Sequence, residues 1–203
     1  MNRQTEYLCT ATSKCLDHPI DEISIIRNGS IMNGFALFTD VSLNPPRKLG
    51  VGAYLLVPAE FLEIPPHDIE WGELSARVRL RRFTETSSTK LEVQTVLWAL
   101  GNFRDEFSCS DPLSVRIYTD SQCVVGLLGR RAGLEANDFL ARRTGQRLQN
   151  ATLYREFFTA YDELRFELIK VAGHSRAFSH DTVQLIFSFV DKEARRALTL
   201  WIG

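Results

Sequence analysis

The stretch Leu113–Gly126, LSVRIYTDSQCVVG, constrains the fold more than any other part of the chain. Val115, Ile117 and Tyr118 form a short β-branched and aromatic run, the pattern of a buried strand. At Thr119-Asp120-Ser121 the period changes, and Val124, Val125, Leu127 and Leu128 then fall on one helical face. A carboxylate at the carboxyl end of a strand, just before a helix, stands where open α/β sheets place their ligands. Asp120 or Ser121 also suits a helix N-cap, so the stretch alone leaves both roles open.

The flanking segments extend the same alternation. Phe35-Ala36-Leu37-Phe38 reads as a buried strand ending at Thr39-Asp40, and Asn44-Pro45-Pro46 as a turn. Gly50 to Val57 is a second strand, stopped by Pro58 and paired antiparallel with the first through the short turn. Ile64 to Glu73 reads as a polar, proline-containing loop, and Arg77-Val78-Arg79-Leu80-Arg81 as a half-exposed strand. A helix begins near Ser88 or Thr89, with Leu91, Thr95, Val96, Ala99 and Leu100 as its apolar stripe and Gly101-Asn102 near its end. Beyond the central stretch, Gly129 to Asn150 is basic and turn-rich. A helix from about Ala151 to Leu164, a strand from Phe166 to Val171 and a last helix from about Thr182 to Trp201 complete the order. Three strands in a meander and then alternating helices and strands predict a mixed sheet with helices on both faces.

With 203 residues the chain is expected to form one domain, 31–203, preceded by a weakly periodic extension, 1–30. A net charge of -1 argues against coating nucleic acid by bulk charge, though not against a local basic face. No stretch is apolar for long enough to span a membrane, and the first residues lack the apolar core of a secretory signal. Cys9, Cys15, Cys109 and Cys123 form no CxxC pair, which suits a reduced, cytoplasmic compartment. Cys9, Cys15 and His18 supply only three zinc ligands at unhelpful spacing, and packing or a free thiol is the competing role.

Asp40 and Asp120 each follow a threonine at a strand end and precede a serine within two residues. On neighbouring parallel strands they would stand side by side. Glu92, beside stripe residue Leu91, can flank that edge, and Asp191 comes directly after apolar Val190 in the last helix. Each acid alone is as well explained by a solvated position or a helix dipole. Together, like charges need a cation, and oxygen donors without histidine or thiolate companions favour Mg²⁺ or Mn²⁺. A pair of such ions is the usual device for in-line attack on a phosphodiester.

These residues resemble the type 1 ribonuclease H family over about Ile31 to Leu198. The matching blocks are LFTDVS (37–42), SSTKLEVQTVLWAL (87–100), IYTDSQCVV (117–125), NATLYREF (150–157), KVAGHS (170–175) and FVDKEARRAL (189–198). The resemblance implies a ribonuclease H-like α/β fold with a five-stranded mixed sheet whose second strand is antiparallel. It implies cleavage of the RNA strand of RNA–DNA hybrids with two Mg²⁺ ions (Mn²⁺ in their place also fitting), leaving a 5′-phosphate and a 3′-hydroxyl. By the same resemblance Asp40, Glu92, Asp120 and Asp191 are the metal ligands, and His174 is the histidine of a mobile loop that aids proton transfer or product release.

Substrate contacts carry over as Gln122 near the minor groove, Ser87 and Ser88 at the DNA phosphate and RNA sugar, and Asn44 in the first loop. Arg130, Arg131, Arg142 and Arg143, with Arg147, lie where some members carry a basic protrusion, a solvated arginine-rich face being the alternative. Val41 replaces the usual glycine after the first acid, Phe187 lies where an asparagine often precedes the last acid, and the span from His174 to Asp191 is long, with His180 inside it. The expected partner is an RNA–DNA hybrid, with no membrane and a monomeric chain. The other readings are a nuclease of the same fold acting on double-stranded RNA or a DNA junction, and a non-catalytic nucleic-acid-binding module.

Overall fold

The computed structural model describes residues 34–107, 114–172 and 181–203. The extension 1–30, the candidate ligands Cys9, Cys15 and His18, and His174 and His180 lie outside the described residues.

Five strands form one mixed sheet: β1 (Gly34–Asn44), β2 (Leu49–Pro58), β3 (Arg79–Phe83), β4 (Ser114–Thr119) and β5 (Glu167–Lys170). Their order is β3-β2-β1-β4-β5. β2 runs antiparallel to both of its neighbours, while β1, β4 and β5 are mutually parallel. This is the five-stranded mixed sheet with an antiparallel second strand that the sequence led us to expect.

The pleat sorts the core into two layers, because successive side chains leave a strand on opposite faces. Leu37, Val115 and Ile117 point to the face covered by α2 (Ser88–Glu106) and α5 (Ala151–Leu164). Ala36, Phe38, Ala53, Leu55 and Tyr118 point to the other, against Leu74 of α1 (Trp71–Arg77) and Ile186, Val190 and Ala194 of α6 (Thr182–Ile202). Both faces of β1 are therefore buried, which is why its sequence reads as a continuous apolar run rather than an alternation.

Several elements differ from the sequence reading. β1 does not end at Asp40: its pairing with β2 continues to Asn44↔Leu49, while its pairing with β4 stops at Phe38↔Tyr118. The loop expected over Ile64–Glu73 contains a 3₁₀ turn at Pro66–Asp68 and the start of α1. Leu74 is the one buried residue of α1, too little to show a stripe. α2 runs through Gly101 and Asn102, whose amide donates to the Tyr54 hydroxyl at 2.9 Å. The turn-rich stretch after Gly129 is helical in its first part, as α3 (Gln122–Val125) leads at once into α4 (Leu127–Ala136).

One close approach fixes α2 against the sheet. A Cβ on Gly52 would overlap Oγ1, Cγ2 and Cβ of Thr95, a β-branched side chain with little rotamer freedom. Gly52→Ala is therefore expected to destabilise the protein by about 2 kcal/mol through overpacking. Urea denaturation measures this, and an unchanged midpoint would mean that α2 does not sit so close.

Candidate active site

Asp40 and Asp120 lie two residues beyond the last β1–β4 rung, Phe38↔Tyr118, so the register brings them level on adjacent parallel strands. The Phe38 and Tyr118 rings stack at 4.7 Å between centroids, forming an apolar floor next to the acids. Asp40 comes two residues after Phe38 and so shares its face, the one against which α6 packs. From α6, Asp191 hydrogen-bonds to Asp40. Three carboxylates from β1, the end of β4 and α6 thus meet at one edge of the sheet.

The electrostatics reflect that crowding. Burial, above all, pushes the Asp40 carboxyl from 3.8 up to about 8. The hydrogen bond with Asp191 and the charges of Asp120 and Asp191 push the same way, and only the Val41 backbone N–H opposes them. Asp191 also accepts from Arg195 Nε one helical turn on, at 2.7 Å.

Glu92 reaches the same edge from the first turns of α2. Ser121 Oγ donates to its Oε2 at 2.6 Å and Ser88 Oγ to its Oε1 at 3.1 Å, so both carboxylate oxygens are held. Ser121 also caps α3 by accepting from Val124 N–H at 3.1 Å. The N-cap role left open between Asp120 and Ser121 therefore belongs to Ser121. Asp40, Glu92, Thr95, Thr119, Asp120 and Ser121 line one small depression. A groove between α2 and α5 contains none of the predicted residues.

Thr95 and Ser121 were not among the sequence candidates. Thr95 reads as a stripe residue and is fully buried, yet its hydroxyl has no hydrogen-bond partner within the structure. A helical threonine usually returns its hydroxyl to a carbonyl one turn back, so an orphan here marks the depression as a polar cavity. Its place three residues after Glu92 was the available signal.

The donor set is all oxygen, the chemistry that hard divalent cations take. Among the described residues no three His, Cys, Asp or Glu side chains stand in a group that could hold a metal ion. Asp191 is shared between Asp40 and Arg195, and Glu92 is turned to its two serines, so a four-carboxylate set requires the Glu92 side chain to rotate inward.

The substrate candidates divide. Ser87 and Ser88 open α2 beside Glu92. Gln122 begins α3, and its Oε1 accepts from Lys170 Nζ of β5 at 2.6 Å. Asn44 closes β1 and accepts the Arg47 N–H into the hairpin turn at 3.1 Å. Arg130 folds back onto the Cys123 and Gly126 carbonyls. Arg131 pairs through both terminal nitrogens with Asp162, each bond at 2.7 Å, and through Nε with Glu135. That pair holds the Asp162 carboxyl below its usual range. Arg130 and Arg131 are thus engaged within the chain, and Arg142 and Arg143 are exposed without such bonds among the described residues.

No family profile and no curated protein matches the chain. In three dimensions it is similar to the foamy viral protease-reverse transcriptase solved in complex with dsDNA. The TM-score is 0.55 at 15% sequence identity, over 80% of this chain and 91% of that one. The fold is ribonuclease H-like. Within it, no helix among the described residues is long and apolar enough to cross a membrane.

Proposed function

We propose that the chain is a divalent-metal-dependent endoribonuclease that cuts the RNA strand of RNA–DNA hybrids. The observation that carries this reading is the meeting of Asp40, Asp120 and Asp191, where burial first and the two neighbouring carboxylates second push Asp40 up to about 8. A cluster that so disfavours its own ionisation suits a cation. A neighbour of the same fold in complex with dsDNA supports a nucleic acid as the partner.

Asp40 and Asp120, level on β1 and β4, would hold the ions between them, with Glu92 and Asp191 closing the set from α2 and α6. Two divalent ions, when bound, polarise the scissile phosphate and ready a water for in-line attack. The chain's own residues do the rest. Ser88 and Ser121 hold the two Glu92 carboxylate oxygens and aim them along the edge. Lys170 occupies the Gln122 carbonyl oxygen and so leaves the amide N–H₂ as a donor. Directed into the minor groove, that donor can read a ribose 2′-hydroxyl. His174, which follows β5 in the sequence, is assigned the proton-transfer or product-release role.

A second reading, a binding module without cleavage, rests on the Asp191–Arg195 ion pair, which supplies a positive charge within the cluster. End analysis separates the two. Incubation of a hybrid with Mg²⁺ should yield RNA fragments with 5′-phosphate and 3′-hydroxyl ends. Intact RNA in a complex that still forms would establish the module instead.

A further inference from the structure

The edge strand β3 has no part in the chemistry above, yet it concentrates positive charge. Arg79, Arg81 and Arg82 lie on it, Arg77 closes α1 just before it, and all four are exposed. Among the described residues none of the four pairs with a carboxylate. The acid just past the strand, Glu85, is bonded to Lys48 instead. Two of these guanidiniums are fixed by aromatic rings: Arg81 lies over Phe83 and Trp98, and Arg82 over Trp201. Four unpaired arginines within six residues are a strong local field in a chain whose net charge is -1.

Their position ties them to the carboxylate site. Asp40 pairs with Ala53 and Ala53 with Leu80, so the three form one row across the sheet. Leu80, between Arg79 and Arg81, therefore lies two strand spacings from Asp40, about 10 Å away. A charged edge also discourages edge-to-edge aggregation, but either sign of charge would do that. Arginine alone, unpaired and level with the site, matches a row of phosphates.

We propose that the β3 edge, through Arg77, Arg79, Arg81 and Arg82, grips the phosphate backbone of a nucleic-acid duplex beside the carboxylate site. This rests on the nucleic-acid reading given above. It also moves the main basic grip away from α4, where Arg130 and Arg131 are engaged within the chain. The competing occupant is an acidic polypeptide adding a strand to this edge. Strand addition takes its specificity from pockets for alternate side chains, and β3 offers none: four of its five residues are exposed and the fifth, Phe83, is buried.

The test is binding of a labelled RNA–DNA hybrid of about 24 base pairs, with chelator present, at a series of salt concentrations. Every phosphate that an arginine no longer neutralises lowers the slope of log affinity against log salt by about 1. The triple variant Arg79→Gln, Arg81→Gln, Arg82→Gln should lower that slope by about 2 to 3 and weaken binding about tenfold at 0.1 M salt. The matching triple lysine variant should keep the wild-type slope. Because Arg81 and Arg82 also cover rings, Arg77→Gln with Arg79→Gln serves as a second variant that disturbs no ring contact, with an expected slope change of about 1 to 2.

Glutamine variants that melt like the wild type and bind with its slope and affinity would overturn the proposal. So would capture of a polyglutamate peptide that the triple glutamine variant loses while its hybrid affinity stays intact. A wild-type protein with no affinity for any nucleic acid would overturn the functional reading itself, and this inference with it.

Discussion

Asp120→Asn is expected to lower hybrid cleavage by about 10³-fold or more while leaving hybrid binding at least as tight as in the wild type. Asp120 stands level with Asp40 at the end of β4, and on the proposed reading it would be one of the two carboxylates that share the ions. Charge stabilisation by a bound cation is worth several kcal/mol in a transition state, and each ~1.4 kcal/mol is a factor of ten in rate. Asparagine keeps the shape and an acceptor oxygen but loses the charge, so the fold is not at stake. Removing a negative charge beside phosphates can only help binding. Single-turnover cleavage together with anisotropy binding measures both quantities. Cleavage at the parental rate would mean that Asp120 is not a ligand.

The second large effect is on stability against pH. Asp40 sits at about 8 in the folded protein, against an ordinary 3.8. Below pH 4 the group is protonated in both the folded and the unfolded chain and makes no difference. Between pH 4 and 8 the unfolded chain gives up the proton while the folded one retains it, so stability falls as pH rises. Above pH 8 the loss is complete, and it amounts to several kcal/mol. Without divalent cation, the melting temperature should therefore drop by about 5 °C or more from pH 5 to pH 8.5. Asp40→Asn should flatten that slope. Mg²⁺ should restore the wild-type melting temperature at pH 8.5 and leave it nearly unchanged at pH 5. A wild-type melting curve indifferent to both pH and Mg²⁺ would show that Asp40 is not buried among the carboxylates as described.

Most of the sheet was legible because its signals are local. The β-branched run 115–118 and the helical period after it place a strand-to-helix turn at Thr119-Asp120-Ser121, and Phe35–Phe38 announces its parallel partner. The continuation of β1 beyond Asp40 was hidden, since Val41-Ser42-Leu43-Asn44 mixes polar and apolar residues and is held in the strand by its partner β2. Helix α1 was missed because two prolines precede it and one buried leucine is not a stripe. Gly129 and Gly133 disguised α4 as a loop.

At the site, three of the acids the sequence singled out, Asp40, Asp120 and Asp191, do come together, but the partners of the site residues could not be read. Arg131 is a free cation in the sequence, and only the packing of α4 beside α5 brings Asp162 to it. Likewise Thr95 reads as one more stripe residue until Gly52 and the carboxylate depression are seen on either side of it.

The most direct measurement is cleavage of a labelled RNA–DNA hybrid, beside duplex RNA and duplex DNA, in Mg²⁺, Mn²⁺ or chelator. The account predicts cutting that needs a divalent ion and is confined to the RNA strand of the hybrid. Folded protein that binds the hybrid and leaves it whole with either metal would contradict it.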